Sequence, residues 1–473
     1  MSRLVVVSNR LADPRKTAAG GLAVALGEVL NNTGGLWFGW SGKIIEPDDK
    51  GPPASERPLH MQQAGTVKLV TMDLSREDHD SFYAGYSNGV LWPVFHYRLD
   101  LADFESGYIT GYRKVNQLFA QKLKPLLRDD DIIWIHDYHL IPLAAELRDL
   151  GCTQRIGFFL HIPLPPPLIL AAIPGHDWLI RALFAYDLVG FQSNADHHHF
   201  CSYVESEAHA QNVGDGRWRA FNRTVQAGAF PIGIDVDEFI ALGEAPEGRD
   251  MYERMKREYS RRKLLVGVDR LDYSKGLPHR MKAFRELLTR YPENHRSATL
   301  IQIASPSREE VGAYTDILHE LESLCGSING NFGELDWMPV RYMHRTVARP
   351  RLPGLYRASR VALVTPLRDG MNLVAKEFIA AQDPHDPGVL VLSRFAGAAE
   401  QLGEALLVNP YDIEATANAI HLALQMPVEE RRSRHLRLLA TIRKYDVHWW
   451  CAAFLDTLAK AQAEETGTPW LRL

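Results

Sequence analysis

Ile132-Ile-Trp-Ile-His136, followed at once by Asp137-Tyr-His139, is the stretch that decides the fold. An apolar, β-branched run without polar alternation reads as a strand buried on both faces, and the strands of a parallel sheet covered by helices look this way. The polar residues after it then sit at the strand's carboxyl end. Similar runs recur at Leu4–Ser8, Ile156–His161, Leu188–Gln192, Leu264–Val268, Thr299–Ile303, Val361–Thr365, Val389–Leu392 and Leu406–Val408, with longer segments of helical character between them. This alternation predicts an α/β chain with two doubly wound sheets. The stretch Phe230 to Gly248, with Pro231, Gly233, Gly243 and Pro246, separates the first four runs from the last five, and Met251 to Lys263 is expected to open the second half as a charged helix. The Trp- and Gly-rich Gly34–Gly42, the Pro-rich Glu46–Pro58 and Leu91–Arg98 break the rhythm and read as an insertion over the first sheet.

Composition bounds the function. The 473 residues, 46% hydrophobic and 23% charged, specify a folded chain of two or three domains. Lys plus Arg (53) against Asp plus Glu (58) leave a net charge of -5, so no basic excess supports sequence-independent nucleic-acid binding. Anionic ligands must be held by a few placed cations. Four cysteines without a C-x-x-C pair predict a reduced, cytoplasmic protein. The apolar stretch Ile156 to Ile173 is interrupted by Pro163, Pro165, Pro166 and Pro167, so no membrane span is expected. The glycine fingerprint of dinucleotide binding, the P-loop, the zinc-protease motif and the serine-hydrolase elbow are all missing from the sequence. Asp129–Asp131 reads as a solvated turn. His197–His199 cannot share one face of a helix, so no metal site is expected there.

The informative residues lie where strands end, the edge at which open α/β sheets bind ligands. Arg10 closes the first strand, and Gly20-Gly21 precede an apolar helix, Leu22–Leu30, whose start can cradle an anion. Asp137 and His161 are delivered to one rim by neighbouring strands. Arg270 and Lys275, five apart around a turn, can converge on one diphosphate, and Arg308 follows a further strand. After the run Val361–Thr365, Asp369-Gly370 makes a turn, and a helix starts whose N–H groups from Gly370 to Leu373 are available to a phosphate. Leu373, Val374, Phe378 and Ala381 are expected to pack as one side of that helix, with Glu377 able to accept bonds from sugar hydroxyls. Two halves offering such rims to a common cleft suggest transfer between two phosphorylated small molecules, best of all glycosyl transfer from a nucleotide sugar.

Ser8-Asn-Arg10, Gly20-Gly-Leu-Ala-Val24, Gly35-Leu-Trp-Phe-Gly-Trp-Ser-Gly42, Leu91-Trp-Pro93 with Phe95-His-Tyr-Arg98, Ile135-His-Asp-Tyr-His-Leu140, Arg270-Leu-Asp-Tyr-Ser-Lys-Gly276 and Leu367-Arg-Asp-Gly-Met-Asn-Leu-Val-Ala-Lys-Glu377 appear in this order. Together they resemble the family of alpha,alpha-trehalose-phosphate synthases (UDP-forming), retaining glycosyltransferases with two Rossmann-like domains facing across a cleft (GT-B type). The likeness runs from about residue 3 to about residue 450.

The resemblance implies a reaction: UDP-glucose and glucose 6-phosphate give alpha,alpha-trehalose 6-phosphate and UDP, with no cofactor and no metal. It implies an acceptor domain over 1–236, a donor domain over 237–444 and a terminal helix, 445–473, crossing back to the first. Arg10, Tyr83 and Arg308 would hold the acceptor phosphate. Trp92 and Ile162 would select the acceptor anomer, and Asp137 would contact the acceptor, with His161 beside it among the catalytic groups. Gly20, Gly21, Arg270 and Lys275 would face the donor diphosphate. Asp369 would touch the transferred glucose, with Gly370, Met371, Asn372, Leu373, Val374, Ala375, Lys376 and Glu377 around the nucleotide. A front-face mechanism follows, in which the leaving phosphate takes the acceptor proton and Arg270 and Lys275 stabilise its charge. Met343–Gly354, rich in proline and arginine, departs from the family where a backbone contact to the base falls, as does the loop Ala12–Thr17. Another donor nucleotide, another acceptor such as glycerol 3-phosphate, a pseudo-glycosyltransferase and an inactive sugar-phosphate-binding regulator remain the rival readings. Homo-oligomer formation is left open.

Overall fold

The computed structural model describes residues 2–11, 30, 34–49, 51–307 and 312–461. Its chain divides into two units, Met1–Pro231 joined by Trp450–Leu473, and Ile232–Trp449. These divisions fall at Pro231 and Trp449, against the boundaries at 236 and 444 read from the sequence.

Among the described residues the first unit carries ten strands: β1 (Leu4–Arg10), β2 (Gly35–Ile45), β3 (His60–Ala64), β4 (Val67–Ser75), β5 (Ile132–His136), β6 (Arg155–Phe159), β7 (Leu188–Phe191), β8 (Gln211–Gly214), β9 (Arg217–Ala220) and β10 (Arg223–Ala229). Their spatial order is β3-β4-β2-β1-β5-β6-β7-β10-β9-β8. All neighbours from β4 to β10 run parallel, while β3, β9 and β8 are antiparallel additions at the edges. Val5, Val6 and Val7 are fully buried because β1 is central, with β2 on one side and β5 on the other. The chain thus winds outward in both directions from β1, and the direction reverses between β1 and β5.

The second unit carries β11 (Lys263–Arg270), β12 (Ala298–Ser305), β13 (Val340–Met343), β14 (Val361–Val364), β15 (Val389–Ser393) and β16 (Leu406–Val408). They form one parallel sheet of order β13-β12-β11-β14-β15-β16, the doubly wound arrangement with its reversal between β11 and β14. One layer of its core joins Phe284, Leu287 and Leu288 of helix Leu277–Arg290 to Ile420 and Leu424 of helix Ile413–Gln425.

Several expectations need correction. Gly34–Gly42 is no insertion: Gly35–Ile45 is β2, inside the sheet, and Leu91–Arg98 is mostly helical. The run read as Ile156–His161 ends at Phe159, which leaves His161 beyond the strand. The charged helix is Pro246–Glu258, with Pro246 in its first turn, and Lys263 already belongs to β11. Asp131 is not solvated. It is buried and paired bidentately with Arg3, Oδ2 lying 2.6 Å from Nη2.

The terminal helix Val447–Lys460 supplies the first unit with Trp450, Phe454 and Leu458, all fully buried. Phe454 stacks on Trp134 of β5 with centroids 4.7 Å apart, and Trp450 lies 4.8 Å from the same ring. Side chains at Gly157 and Gly190 would clash, since a Cβ there comes 2.7 and 2.8 Å from the Phe454 ring. Burial of a phenylalanine contributes about 1.5–3 kcal/mol, so the helix is a structural part of this sheet's cover.

Candidate active site

In the first unit, β1 delivers Ser8, Asn9 and Arg10 to the switch point. Ser8 Oγ accepts from Trp37 Nε1 at 2.9 Å, which fixes the strand end. Arg10 is exposed, and its guanidinium lies 5.8 Å from the Trp40 ring centroid. Trp40 in turn sits 5.6 Å from Tyr83, which stacks on His139 at 5.8 Å with an interplanar angle of 11°. Tyr83 projects from His79–Leu91, a π-helix, a form that concentrates at functional sites. Trp40 therefore brings together two residues named from widely separated stretches, Arg10 and Tyr83. Trp92 is 5% exposed and lies 5.7 Å from Tyr138, and Ile162 is 6% exposed, so little of either side chain can meet a ligand.

Asp137, at the end of β5, has φ 75° and ψ 166°, a conformation that glycine adopts readily and aspartate does not. Its N–H donates to Phe159 O at 2.8 Å, and its Oδ1 accepts from His161 N–H at 3.3 Å. His161 Nε2 lies 3.0 Å from His136 Nδ1, and His161 Nδ1 lies 3.2 Å from Gln192 Nε2. With the amide so placed, Gln192 donates to His161, which donates to His136. Burial pushes the His161 pKa down to about 3 and that of His136 well below its usual value, so both rings are neutral at pH 7. His161 is thus a neutral hydrogen-bonding group tying the ends of β5, β6 and β7, and it has no proton to give as an imidazolium.

In the second unit, Arg270 is exposed at the end of β11, and Asp272 caps the turn by accepting from Ser274 N–H at 2.9 Å. Lys275 follows, and Gly276 in the left-handed region (φ 65°) starts helix Leu277–Arg290. Lys275 Nζ lies 2.5 Å from Asp369 Oδ2, and Asn372 Nδ2 donates to the same oxygen at 3.0 Å. Both partners are largely shielded. The segments after β11 and β14 are also stitched by backbone, with Leu367 N–H donating to Ser274 O at 2.7 Å.

Helix Leu373–Ala381 begins at Asn372, itself left-handed (φ 72°). Among the described residues, no hydrogen bond engages the N–H groups of Gly370, Met371 or Asn372, and the first-turn N–H groups of a helix lack internal partners. An anion is favoured there. The expected packing side is corrected: Leu373 and Val374 are half-buried at the helix start, while Ala375, Lys376 and Phe378–Ala381 are buried. Lys376 is fully buried and spends its ammonium on Ile232 O and Gln401 Oε1, both at 2.7 Å, so its side chain does not face a nucleotide. Burial lowers its pKa to about 7.

Glu377 keeps some solvent access, yet its carboxyl group is deep enough for burial to raise its pKa to about 7, Glu238 adding to the rise and Arg349 opposing it. Arg349 itself grips Glu238 with two bonds of 2.5 Å. Met343–Gly354 does proceed to a helix, Leu352–Ala358, with Pro353 in its first turn. Beside it is a cavity of about 880 Å³ lined by Met343, Arg345, Val347, Arg351, Met255 and Ile303 among others. Gly20, Gly21, Arg308 and the loop Ala12–Thr17 lie outside the described residues.

Two participants had no sequence signal. Gly397 donates its N–H to Asp369 O at 3.1 Å, and a Cβ there would come 1.9 Å from Gly370 O, so only glycine lets the Asp369 turn close. Arg280, on the helix after Lys275, is buried against Asp269, Gln302 and Thr365. Among the described residues no group of three or more His, Cys, Asp or Glu is arranged to hold a metal ion, and no helix is long and apolar enough to cross a membrane.

A parallel sheet whose cations, carboxylate and amide row meet at the β11/β14 reversal, on a chain with a second doubly wound sheet, defines a sugar-nucleotide glycosyltransferase of the GT-B type. The profile of glycosyltransferase family 20 matches residues 5–460. The chain belongs to that family. A trehalose-6-phosphate synthase of Enterobacter sp. (strain 638) is 48% identical over 462 residues, 97% of this chain and 96% of the relative. An alpha,alpha-trehalose-phosphate synthase (UDP-forming) of Burkholderia xenovorans, solved in complex with glucose-6-phosphate, is 47% identical with a TM-score of 0.92, covering 97% of this chain and 100% of that one. An E. coli structure bound with UDP-2-fluoro glucose is 46% identical with a TM-score of 0.92, covering 98% and 100%.

Proposed function

We propose that the chain transfers glucose from UDP-glucose to glucose 6-phosphate, forming alpha,alpha-trehalose 6-phosphate and UDP with retention at the transferred carbon. The observation that carries this reading is the Lys275–Asp369 contact beside the unengaged amides of Gly370 to Asn372 at the β11/β14 reversal. A lysine ammonium held against a carboxylate can turn to a diphosphate when one arrives, leaving Asp369 to the hydroxyls of the transferred glucose.

The bond from the anomeric carbon to the β-phosphate oxygen breaks as the bond to the acceptor hydroxyl forms on the same face. The acceptor proton passes to the departing phosphate oxygen. Arg270, Lys275 and the amides stabilise the charge that grows there, and no metal is required for that task. Glu377 is assigned to ribose hydroxyls and Arg10 with Tyr83 to the acceptor phosphate, joined in this reading by Arg308, with Gly20 and Gly21 on the donor side. Asp137 is assigned to the acceptor sugar.

The test is a panel of UDP-, GDP- and ADP-glucose against glucose 6-phosphate and glycerol 3-phosphate, following trehalose 6-phosphate directly with and without EDTA. UDP-glucose with glucose 6-phosphate is expected to turn over fastest, unaffected by the chelator. Product only with another donor or acceptor, or binding of both substrates without turnover, would overturn the assignment.

A further inference from the structure

Arg280 lies in the first turn of helix Leu277–Arg290, its N–H donating to Gly276 O, and although arginine ordinarily faces solvent it is 1% exposed. Its Nη1 donates to Asp269 Oδ2 at 2.5 Å and to Gln302 Oε1 at 2.9 Å, and its Nε donates to Thr365 Oγ1 at 3.0 Å. Asp269 belongs to the end of β11, Gln302 to β12, and Thr365 directly follows β14. One guanidinium therefore ties three adjacent strands, at the ends of β11 and β14 and at an interior position of β12.

The space for it is built into the strand: a Cβ on Gly267 of β11 would come 2.5 Å from Arg280 Nη1 and from Gln302 Oε1. Glycine weakens a strand interior, so its presence marks a close approach rather than a gain in strand stability. Stability alone also gives a poor account of the arginine, because buried ion pairs are often replaceable by apolar side chains without loss. What apolar packing lacks is the directional fork. Asp269 immediately precedes Arg270, and Thr365 opens the segment that leads to Asp369 and the amide row.

We propose that Arg280 is a positioning residue for the donor diphosphate site, setting the separation between the Arg270–Lys275 segment and the Asp369–Leu373 segment. This rests on the donor reading given above. Arg280 touches no substrate. It acts through Asp269 and Thr365, and its influence belongs to the donor rather than the acceptor.

The test compares wild type with Arg280→Lys, Thr365→Val and Gln302→Leu, measuring UDP release at varied UDP-glucose and varied glucose 6-phosphate, together with melting temperature and UDP affinity by calorimetry. Thr365→Val and Gln302→Leu each remove one bond to the same guanidinium, but only Thr365 leads into the donor segment. Arg280→Lys and Thr365→Val are expected to lower kcat/KM for UDP-glucose about tenfold, with the KM for glucose 6-phosphate within about twofold of wild type. Gln302→Leu also loses the bond from Gln302 Nε2 to Ile303 O, so it is expected to melt at or below Thr365→Val and still leave donor kinetics within about twofold. Donor kinetics that follow melting temperature alike in Thr365→Val and Gln302→Leu, or an Arg280→Lys enzyme with wild-type donor parameters, would overturn the proposal. A wild type that neither turns over UDP-glucose nor binds UDP would instead sink the donor reading itself.

Discussion

Asp137→Gly and Asp137→Ala remove the same carboxylate and differ in one respect, the backbone each residue can adopt. At φ 75° and ψ 166° a non-glycine residue is strained by about 1–3 kcal/mol. Both variants lose the contact to His161 N–H, so that loss cancels in the comparison. Glycine gives back about 0.5–1 kcal/mol through its freer unfolded chain. The glycine variant should therefore be more stable than the alanine variant, by up to about 2.5 kcal/mol. At about 2–4 °C per kcal/mol for a body of this size, the calorimetric transition of the first unit should sit higher, by up to about 10 °C. Both variants should lose about 10- to 100-fold in kcat/KM for glucose 6-phosphate, the value of one charged hydrogen bond to substrate. A glycine variant that melts at or below the alanine variant would refute the strain at this strand end.

Three further outcomes are expected. Lys275→Ala should lower kcat about 100-fold or more while the KM for glucose 6-phosphate stays within about twofold, read from initial rates of UDP release. Gly397→Ala should push the Gly370 carbonyl aside and raise the KM for UDP-glucose about tenfold or more, measurable in the same assay. Glu377, with a folded pKa raised from 4.5 to about 7, binds its proton more tightly folded than unfolded, so its contribution is fully present below about pH 4.5 and is lost as pH rises through 7. Glu377→Gln should accordingly match wild type in melting temperature near pH 4.5 and exceed it by pH 8; a constant difference across that range would contradict the assignment.

Much of the scaffold was legible because buried parallel strands leave a plain mark: Ile132–His136 and Leu406–Val408 have the bounds read from their β-branched runs. The strands that escaped did so for physical reasons. β2 carries Trp37, Phe38 and Trp40 among glycines, an aromatic pattern that resembles a loop, and β3 and β8 are polar edge strands with exposed side chains. Arg10, Asp137, Arg270, Lys275 and Asp369 stood out as candidates because each lies at or beyond the carboxyl end of a strand, the edge at which open α/β sheets bind ligands. Arg280 and Gly397 were not, since their partners are Thr365 and Gly370, and nothing local in a helical arginine or a turn glycine announces them. The inward turn of Lys376 was equally hidden: nothing in the sequence shows that the ammonium is spent on Ile232 O and Gln401 Oε1.

The terminal helix has a consequence for how the protein is made. Trp450 and Phe454 are translated after the whole of the second unit but cover Trp134 and Gly157 near the centre of the first sheet. During synthesis, which usually lets domains fold from the amino end onward, the first unit must wait with an open apolar floor. The second unit is continuous in sequence and can fold on the ribosome ahead of it. Completion of the first sheet then follows that of the second unit, and a ribosome stalled before residue 450 leaves a finished second unit attached to an exposed aromatic surface, a ready target for chaperones and proteases.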